Sequence, residues 1–291
     1  MFGNAGQLGV ELMREFAERG FEVQGTDRAD VDITDAAAVE KAVCDFDPAV
    51  VVNAAAYNMV DVAEQEPQAA YIVNGLAVRN VALACRQTDA KLVHFSTDYV
   101  FDGVTSRPYV ETDMPHPLSA YGVSKLAGEL YAQAYCSDAL VVRTCGVFGP
   151  GGRFTNRGNF VELMLRLGAS PNPIRVVEDH VASPTYAPAL AARTIDLIEK
   201  RASGLFNIGG GVPISWFDYA RRIFEFAGMK PQLRATNERE YRTSARRPKY
   251  SALSNAKVEQ FGIAPMPAFD DCIQDYLKQT NRLNPLPAAA R

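Results

Sequence analysis

Two stretches of the sequence, KLVHFSTDYVFDG at residues 91–103 and SAYGVSKLAGE at residues 119–129, decide how this chain folds. The first begins with an apolar run of the length and composition of a buried β-strand, which ends at the polar residues Ser96 and Thr97. After a link that contains prolines, Tyr121 opens a stretch whose apolar residues recur at helical spacing. A strand, a loop and a helix are therefore predicted here.

Side chains of this unit are suited to proton transfer. Tyr121 and Lys125 are four residues apart, so they share one face of the predicted helix. A lysine cation beside a tyrosine favours the phenolate and lowers the tyrosine pKa from about 10 towards the working pH. Together with the hydroxyl of Thr97 at the strand end, the pair forms a plausible proton donor. Because Tyr-x-x-x-Lys is common on helices, the prediction depends on the surrounding sequence.

The composition is that of a cytoplasmic globular protein. The chain has 291 residues, of which 47% are hydrophobic and 22% charged, with a net charge of -4. Lysine and arginine are scattered, which argues against a nucleic-acid-binding face. The longest apolar stretches are strand-sized, and no signal segment begins the chain. The five cysteines are far apart and show no metal-ligand spacing, so we expect free, mostly buried thiols, and the sequence nominates no metal site.

The N-terminal sequence predicts a nucleotide-binding turn. Residues 3–9, GNAGQLG, have the form Gly-x-x-Gly-x-x-Gly and precede a helical pattern. Glycines of this kind allow a tight turn and a close approach to a pyrophosphate at a helix N-terminus. The strand expected before the turn is absent apart from Met1 and Phe2. Either the printed start lies inside the reading frame, which we favour, or the protein folds with a damaged sheet.

The next segments continue the alternation of strands and helices. Residues 21–26 are predicted to form a second strand that ends at Asp27 and Arg28. An acid at this place binds a ribose 2′-hydroxyl and an arginine suits a 2′-phosphate, so the choice between NAD and NADP stays open. Thr34 is a plausible helix N-cap after Asp32 and Ile33. Strand 49–52 ends at Asn53 and three alanines, and the helix 69–88 carries Asn74.

Five alternations of strand and helix with short links predict an α/β fold with a doubly wound parallel sheet. Gly3, Asn53, Thr97 and Thr144 follow strand ends and should meet in one crevice, where ligands of such sheets bind. The rhythm changes near Gly151. We therefore expect a dinucleotide-binding domain of residues 1–150 plus about 184–211, and a smaller C-terminal substrate lobe of about 151–183 and 212–291. The arginines of segment 242–248 could hold a diphosphate, although a solvated surface is the commoner role.

The motifs resemble those of an extended short-chain dehydrogenase/reductase, and within that group those of the dTDP-4-dehydrorhamnose reductase family. They occur in the family's order over nearly the whole chain. The matching segments are 3–9, 53–57, 96–103, 121–129, 143–144, 158–160, 183–185 and 245–248.

The resemblance implies NADPH or NADH as cofactor and a dTDP-linked 4-dehydro-6-deoxy sugar as substrate. Tyr121 would protonate the C4 oxygen, Lys125 would hold the nicotinamide ribose, and Thr97 would hydrogen-bond the C4 oxygen. The residues predicted to bind the cofactor are Gly3, Asn4, Ala5, Gly6, Gln7, Leu8, Asp27, Arg28, Asp32, Ile33, Ala54, Ala55, Ala56, Asn74, Tyr121 and Lys125. Those predicted to bind the substrate are Thr97, Asp98, Tyr99, Gly146, Asn159 and Arg247. The resemblance also implies that the chain can form a homodimer.

Related activities and one departure bear on the substrate. Sugar-nucleotide 4,6-dehydratases carry an Asp-Glu pair after this threonine, whereas Tyr99 follows Asp98 here, so reduction is favoured over elimination. A 4-epimerase, and a non-catalytic regulatory subunit like that of methionine adenosyltransferase, remain alternatives. Family members can carry a tryptophan after the Arg-Thr pair, where it stacks on the sugar. This chain has Gly146 there, which leaves the identity of the sugar open.

Overall fold

A computed structural model describes residues 1–155 and 158–283. Residues 156 and 157 and the end of the predicted substrate lobe, 284–291, lie outside the described residues. No helix in the described part of the chain is long and apolar enough to cross a membrane.

Helices and strands alternate through the first half of the chain. In order they are α1 (Gln7–Glu18), α2 (Ala36–Phe46), β1 (Val50–Asn53), α3 (Pro67–Tyr71), a π-helical turn (Ile72–Leu76), α4 (Ala77–Thr88), β2 (Lys91–Thr97), α5 (Ala120–Tyr135) and β3 (Leu140–Thr144). The second half comprises α6 (Phe160–Gly168), β4 (Ile174–Val177), β5 (Val181–Ala182), α7 (Ala187–Glu199), β6 (Gly204–Asn207), β7 (Ile214–Ser215), α8 (Trp216–Phe226), β8 (Leu233–Thr236), α9 (Ala256–Gln260) and α10 (Phe269–Gln279).

The central sheet is parallel and has the order β1-β2-β3-β6, which confirms the predicted fold class. Successive side chains of a strand point to opposite faces, so a sheet buried on both sides needs continuous apolar runs. Val51 and Leu92 pack with α2 and α4 on one face, while Val52 and Val93 pack with α1 and α7 on the other. The apolar runs noted in the sequence are therefore core strands covered on both faces.

The predicted strand at 21–26 is wrong as a regular element. Thr26 alone forms a bridge, to Phe2, and Phe2 in turn bridges Asn53. The amide of Thr26 donates to the carbonyl of Met1 at 2.9 Å, and the amide of Phe2 donates to the carbonyl of Val52 at 2.9 Å. A regular strand needs a continuous ladder with a neighbour, and segment 21–26 has only this single bridge, so no strand forms there.

The predicted N-cap of α2 is also corrected. Helix α2 begins at Ala36, and its N-cap is Asp35, whose carboxylate accepts the amides of Ala37 and Ala38 at 3.0 and 3.1 Å. The Thr34 hydroxyl instead donates to Asp32 at 2.8 Å. Threonine and aspartate are both good caps, so only the backbone geometry decides which one is used.

The second half adds four short strands that the sequence pattern did not predict. Strands β4 and β8 form a two-stranded parallel sheet, and β5 pairs with β7 in antiparallel fashion. Helices α6, α8 and α10 pack around a separate apolar cluster that contains Phe148, Tyr219 and Tyr276. All five cysteines are free and four of them are buried, as predicted.

Candidate functional site

A cavity of about 780 Å³ opens where the central strands end. Thr97 and Thr144 are register partners at the ends of β2 and β3, and both line the cavity. Of the four residues predicted to meet in one crevice, Thr97 and Thr144 do so, whereas Gly3 and Asn53 are not among the described lining residues. Other lining residues include Gly6, Gln7, Leu8, Ala54, Ala55, Ala56, Asn58, Tyr121, Lys125, Gly146, Asn159, Phe160, Leu163, Arg166, Trp216 and Arg247.

Helix α5 carries Tyr121 and Lys125 into the cavity. Its N-cap is Ser119, whose hydroxyl accepts the amide of Gly122 at 3.2 Å, so Tyr121 lies in the first turn. The Tyr121 hydroxyl is 3.5 Å from Asn58 Oδ1. The Lys125 ammonium is 3% exposed and donates to the carbonyl of Phe95 at 2.6 Å. Burial lowers the pKa of Lys125 to about 8, which the Glu129 carboxylate opposes.

Thr97 lies at the cavity wall and is held from behind by Asp98. The Thr97 hydroxyl donates to Asp98 Oδ1 at 3.1 Å and accepts the amide of Tyr99 at 3.2 Å. Asp98 is 3% exposed, and its other oxygen accepts the Cys145 thiol at 3.1 Å. Burial raises the pKa of Asp98 to about 6, although hydrogen bonds from Ser251, Cys145 and Thr97 oppose the shift.

Asp98 and Tyr99, both predicted to bind the sugar, are not among the described residues that line the cavity. Asp98 supports Thr97 instead. The Tyr99 ring packs edge-on against Tyr121, with ring centroids 5.9 Å apart, and burial raises the pKa of Tyr99. Asp98 and Tyr99 are therefore placed to position Thr97 and Tyr121, which do line the cavity.

The glycine turn before α1 is closely packed and leaves the N-terminus of that helix at the cavity. Gly3 has φ +81°, and a Cβ on it would lie 2.6 Å from the amide nitrogen of Ala55. A Cβ on Gly9 would lie 2.1 Å from the carbonyl of Gly3. The turn therefore closes only with glycine at both places, and it leaves the α1 N-terminus and the alanines 54–56 open to the cavity. Asn4 and Ala5 belong to the same turn but are absent from the described cavity lining.

The residues predicted to bind the adenosine end lie outside this cavity. The Asp27 carboxylate accepts the amide of Ala29 at 2.7 Å, and the Arg28 side chain is 88% exposed and pairs with Asp32 at 3.3 Å. Ile33 is 5% exposed and belongs to the core. Asp27, Arg28 and Asp32 remain accessible from solvent, whereas the Ile33 side chain is not free to contact a ligand.

Asn74 is a structural clamp in the π-helical turn. Its amide oxygen accepts the amide of Tyr57 at 2.8 Å, and its amide nitrogen donates to the Tyr57 carbonyl and to Ser124 Oγ, both at 3.0 Å. It is 1% exposed. Asn74 was predicted to bind the cofactor, but these bonds join the loop after β1 to helix α5.

Gly146, Asn159 and Arg247 were predicted to bind substrate, and all three line the cavity. Asn159 caps α6 by accepting the amide of Glu162 at 3.0 Å, and it donates to Gln7 Oε1 at 2.8 Å. The Arg247 guanidinium forms a fork with Asp61, at 2.7 and 3.1 Å. The fork holds segment 242–248 at the cavity mouth.

A buried ion pair that the sequence prediction missed lies beneath the site. Arg143 donates to Glu129 at 2.8 and 2.7 Å, and both side chains are at most 3% exposed. Ser96 also donates to Glu129. Two features of the sequence could have indicated this pair. Arg143 lies inside an otherwise apolar strand, and Glu129 follows Lys125 by four residues on the same helix. This pair ties β2, β3 and α5 together behind the lysine.

One group of metal-ligating side chains occurs in the described chain, away from the cavity lining. Ligand atoms of Asp179, His180 and Glu238 lie within 4.8 Å of one another. The Lys249 ammonium lies 3.7 Å from Asp179 and 3.5 Å from Glu238. A cation of the protein therefore already compensates the two acids.

Comparison with known proteins finds relatives that match this chain over most of its length. The family model described as RmlD substrate binding domain matches residues 1–282. The dTDP-4-dehydrorhamnose reductase of Escherichia coli K12 is 36% identical over 275 residues, which cover 89% of this chain and 90% of that protein. The spore coat polysaccharide biosynthesis protein SpsK of Bacillus subtilis is 35% identical over 95% of each chain. The crystal structure of the Bacillus anthracis dTDP-4-dehydrorhamnose reductase in complex with NADP superposes with a TM-score of 0.91 at 34% identity, covering 96% of this chain and 97% of that one.

Proposed function

The chain belongs to the dTDP-4-dehydrorhamnose reductase family, and from this premise we propose that it is an NAD(P)H-dependent oxidoreductase that reduces the C4 ketone of dTDP-4-dehydro-L-rhamnose to give dTDP-L-rhamnose. The observation that carries the proposal is the convergence of Thr97, Tyr121 and Lys125 on one cavity that also contains the α1 N-terminus. The comparisons do not favour an epimerase or a regulatory subunit.

The residues of the glycine turn and alanines 54–56 would hold the dinucleotide, because a pyrophosphate needs backbone amides and small neighbours. When bound, the reduced nicotinamide supplies a hydride to C4. Lys125, fixed by the Phe95 carbonyl, would hold the nicotinamide ribose. Relatives in solved structures bind NADP or NAD, and Arg28 next to Asp27 leaves the preference open.

Proton transfer falls to Tyr121. As hydride reaches C4, negative charge grows on the ketone oxygen, and Tyr121 donates its phenolic proton to that oxygen. The Lys125 cation stabilises the phenolate that remains. Thr97 would hydrogen-bond the same oxygen and fix its position. The products are the C4 alcohol and the oxidised nicotinamide.

The assignment is tested by Tyr121→Phe with NADH or NADPH oxidation in the presence of dTDP-4-dehydro-L-rhamnose. General-acid assistance contributes about 10²–10⁴-fold, so kcat should fall by that factor while cofactor binding persists. Tyr131→Phe is the matched control, because Tyr131 lies on the same helix but its hydroxyl meets Tyr71 at the surface, 3.4 Å away. A Tyr121→Phe protein with the wild-type rate would contradict the mechanism.

The assignment of the two ligands to two parts of the chain is also a proposal. We infer that residues 1–150 with about 184–211 bind the dinucleotide, and that about 151–183 and 212–291 bind the nucleotide sugar. Homodimer formation and a cytoplasmic location stay predictions. Light scattering of the purified protein measures the first.

A further inference from the structure

The chain's single tryptophan lies in the wall of the cavity. Trp216 is the first residue of α8, whose N-cap Ser215 accepts the amide of Asp218 at 3.0 Å. The amide of Trp216 donates to the carbonyl of His180 at 3.1 Å. The helix cap at Ser215 and the bond to His180 therefore fix the backbone of Trp216.

The indole is also held by rings. Its centroid lies 4.8 Å from that of Phe160, with the planes at 69°, and 6.0 Å from that of Tyr219. Phe160 lines the same cavity. Trp216 is only partly buried, so part of the indole faces the cavity while the rest packs against the protein.

Gly146 makes room for this arrangement. A Cβ at position 146 would lie 3.4 Å from Cη2 of Trp216, which is already van der Waals contact. Any longer side chain at 146 would extend into the space that the indole occupies. Gly146 has φ +48°, a backbone conformation that further disfavours a large residue. The indole from α8 thus takes the place of a side chain at the end of β3.

This place is next to the proposed reaction centre. Thr97 and Thr144 are paired across the sheet, and Gly146 is two residues beyond Thr144. On the proposed function, C4 of the sugar lies at Thr97 and Tyr121, so the sugar ring lies within reach of Trp216. A 6-deoxy sugar presents a methyl group and axial C–H bonds, an apolar surface that an aromatic face can cover.

We infer that Trp216 is the wall on which the apolar face of the 6-deoxy sugar packs, in the space that Gly146 leaves open. This inference rests on the proposed function. It assigns Trp216 a role in sugar recognition and none in hydride or proton transfer, because the described contacts of the indole are with aromatic rings.

Because Trp216 is the only tryptophan, its fluorescence reports directly on this wall. The protein is titrated with dTDP-L-rhamnose and, separately, with dTDP, in the absence of nicotinamide, and calorimetry measures occupancy. We expect a saturable change in emission with dTDP-L-rhamnose and little change with dTDP at equal occupancy. An equal change with dTDP, or none with the bound sugar nucleotide, would overturn the inference. If calorimetry detects no binding of either ligand, the proposed function itself fails.

Kinetics provide the second readout. Trp216→Ala should raise KM for the sugar nucleotide by about tenfold, the loss of one aromatic contact, while kcat and KM for NADPH change much less. Trp216→Phe should recover part of the loss. Tyr241→Ala, which truncates a half-exposed aromatic side chain outside the described cavity lining, should change neither constant. A fall in kcat with KM unchanged would contradict a role in sugar binding.

Discussion

The hydroxyl of Thr97 has both of its roles taken within the protein, because it donates to Asp98 and accepts from the Tyr99 amide. To donate to a ketone oxygen it must release Asp98. Protonation of Asp98 would allow this, since a carboxylic acid can itself donate to the threonine oxygen. Asp98, which was predicted to touch the sugar, is thus placed to control Thr97, the residue proposed to bind the ketone oxygen.

The buried carboxyl of Asp98 should make the stability of the fold depend on pH. Its pKa is about 6 in the folded protein against the usual 3.8 of an aspartate, so the folded state binds more protons than the unfolded state between these pH values. Stability should therefore fall as pH rises through this window, by about 3 kcal/mol. Asp98→Asn removes the titration, and urea unfolding from pH 4 to 7 should give a flatter curve. Asp45→Asn, at an exposed carboxylate on α2, should behave as wild type. Parallel curves for Asp98→Asn and wild type would rule the effect out.

At the scale of elements, helix α5 approaches the helix of residues 67–88 through glycines. A Cβ on Gly128 would lie 2.3 Å from the carbonyl of Asn74 and 3.0 Å from Nε2 of His94. A Cβ on Gly75 would meet side-chain atoms only at ordinary contact distance, the Ala127 methyl at 3.4 Å and the Tyr71 ring at 3.5 Å. Gly75 therefore leaves room for a methyl group, whereas Gly128, on the other side of the same helix contact, does not.

This difference provides a matched pair of variants. Gly128→Ala should push α5 outwards and lower the free energy of unfolding by about 1–3 kcal/mol. It should also reduce turnover, because α5 carries Tyr121 and Lys125. Gly75→Ala should be neutral or stabilising by up to about 1 kcal/mol, since alanine favours a helix. Urea unfolding and NADPH oxidation measure both effects, and equal losses in the two variants would contradict the packing argument.

At the scale of the whole molecule, an apolar cavity lies beside Met1. This cavity of about 180 Å³ lies between segment 21–26 and β1, and its lining includes the apolar residues Phe16, Phe21 and Val23. The Met1 ammonium donates to the carbonyl of Gln24 at 2.5 Å, and burial lowers its pKa. The charged Met1 ammonium therefore lies at the end of this apolar cavity, which we call the slot. The slot lies beside β1, where a neighbouring strand would pack.

A strand supplied to this slot should stabilise the protein. Five β-branched residues fused ahead of Met1 would replace the ammonium by an amide, pair with segment 21–26 and β1, and bury apolar side chains. Each buried valine or isoleucine contributes about 1.5–3 kcal/mol, so the thermal midpoint should rise clearly. A Gly-Ser extension of equal length is the control. Equal midpoints for the two extensions would show that the slot does not accept a strand.

The sequence by itself determined the elements whose signals are local. Apolar runs predicted β1, β2 and β3, the glycine spacing predicted the turn before α1, and the four-residue spacing placed Tyr121 and Lys125 on one helix face. These patterns are periodic, so a short window contains them.

Only the tertiary structure decided which residues meet. Segment 21–26 pairs only through the bridge from Thr26 to Phe2. Asp98 meets Cys145 because β2 and β3 are neighbours. Trp216 stands opposite Gly146 although 70 positions separate them in the chain. Such contacts depend on strand order and side-chain packing between distant segments, and no local period encodes them.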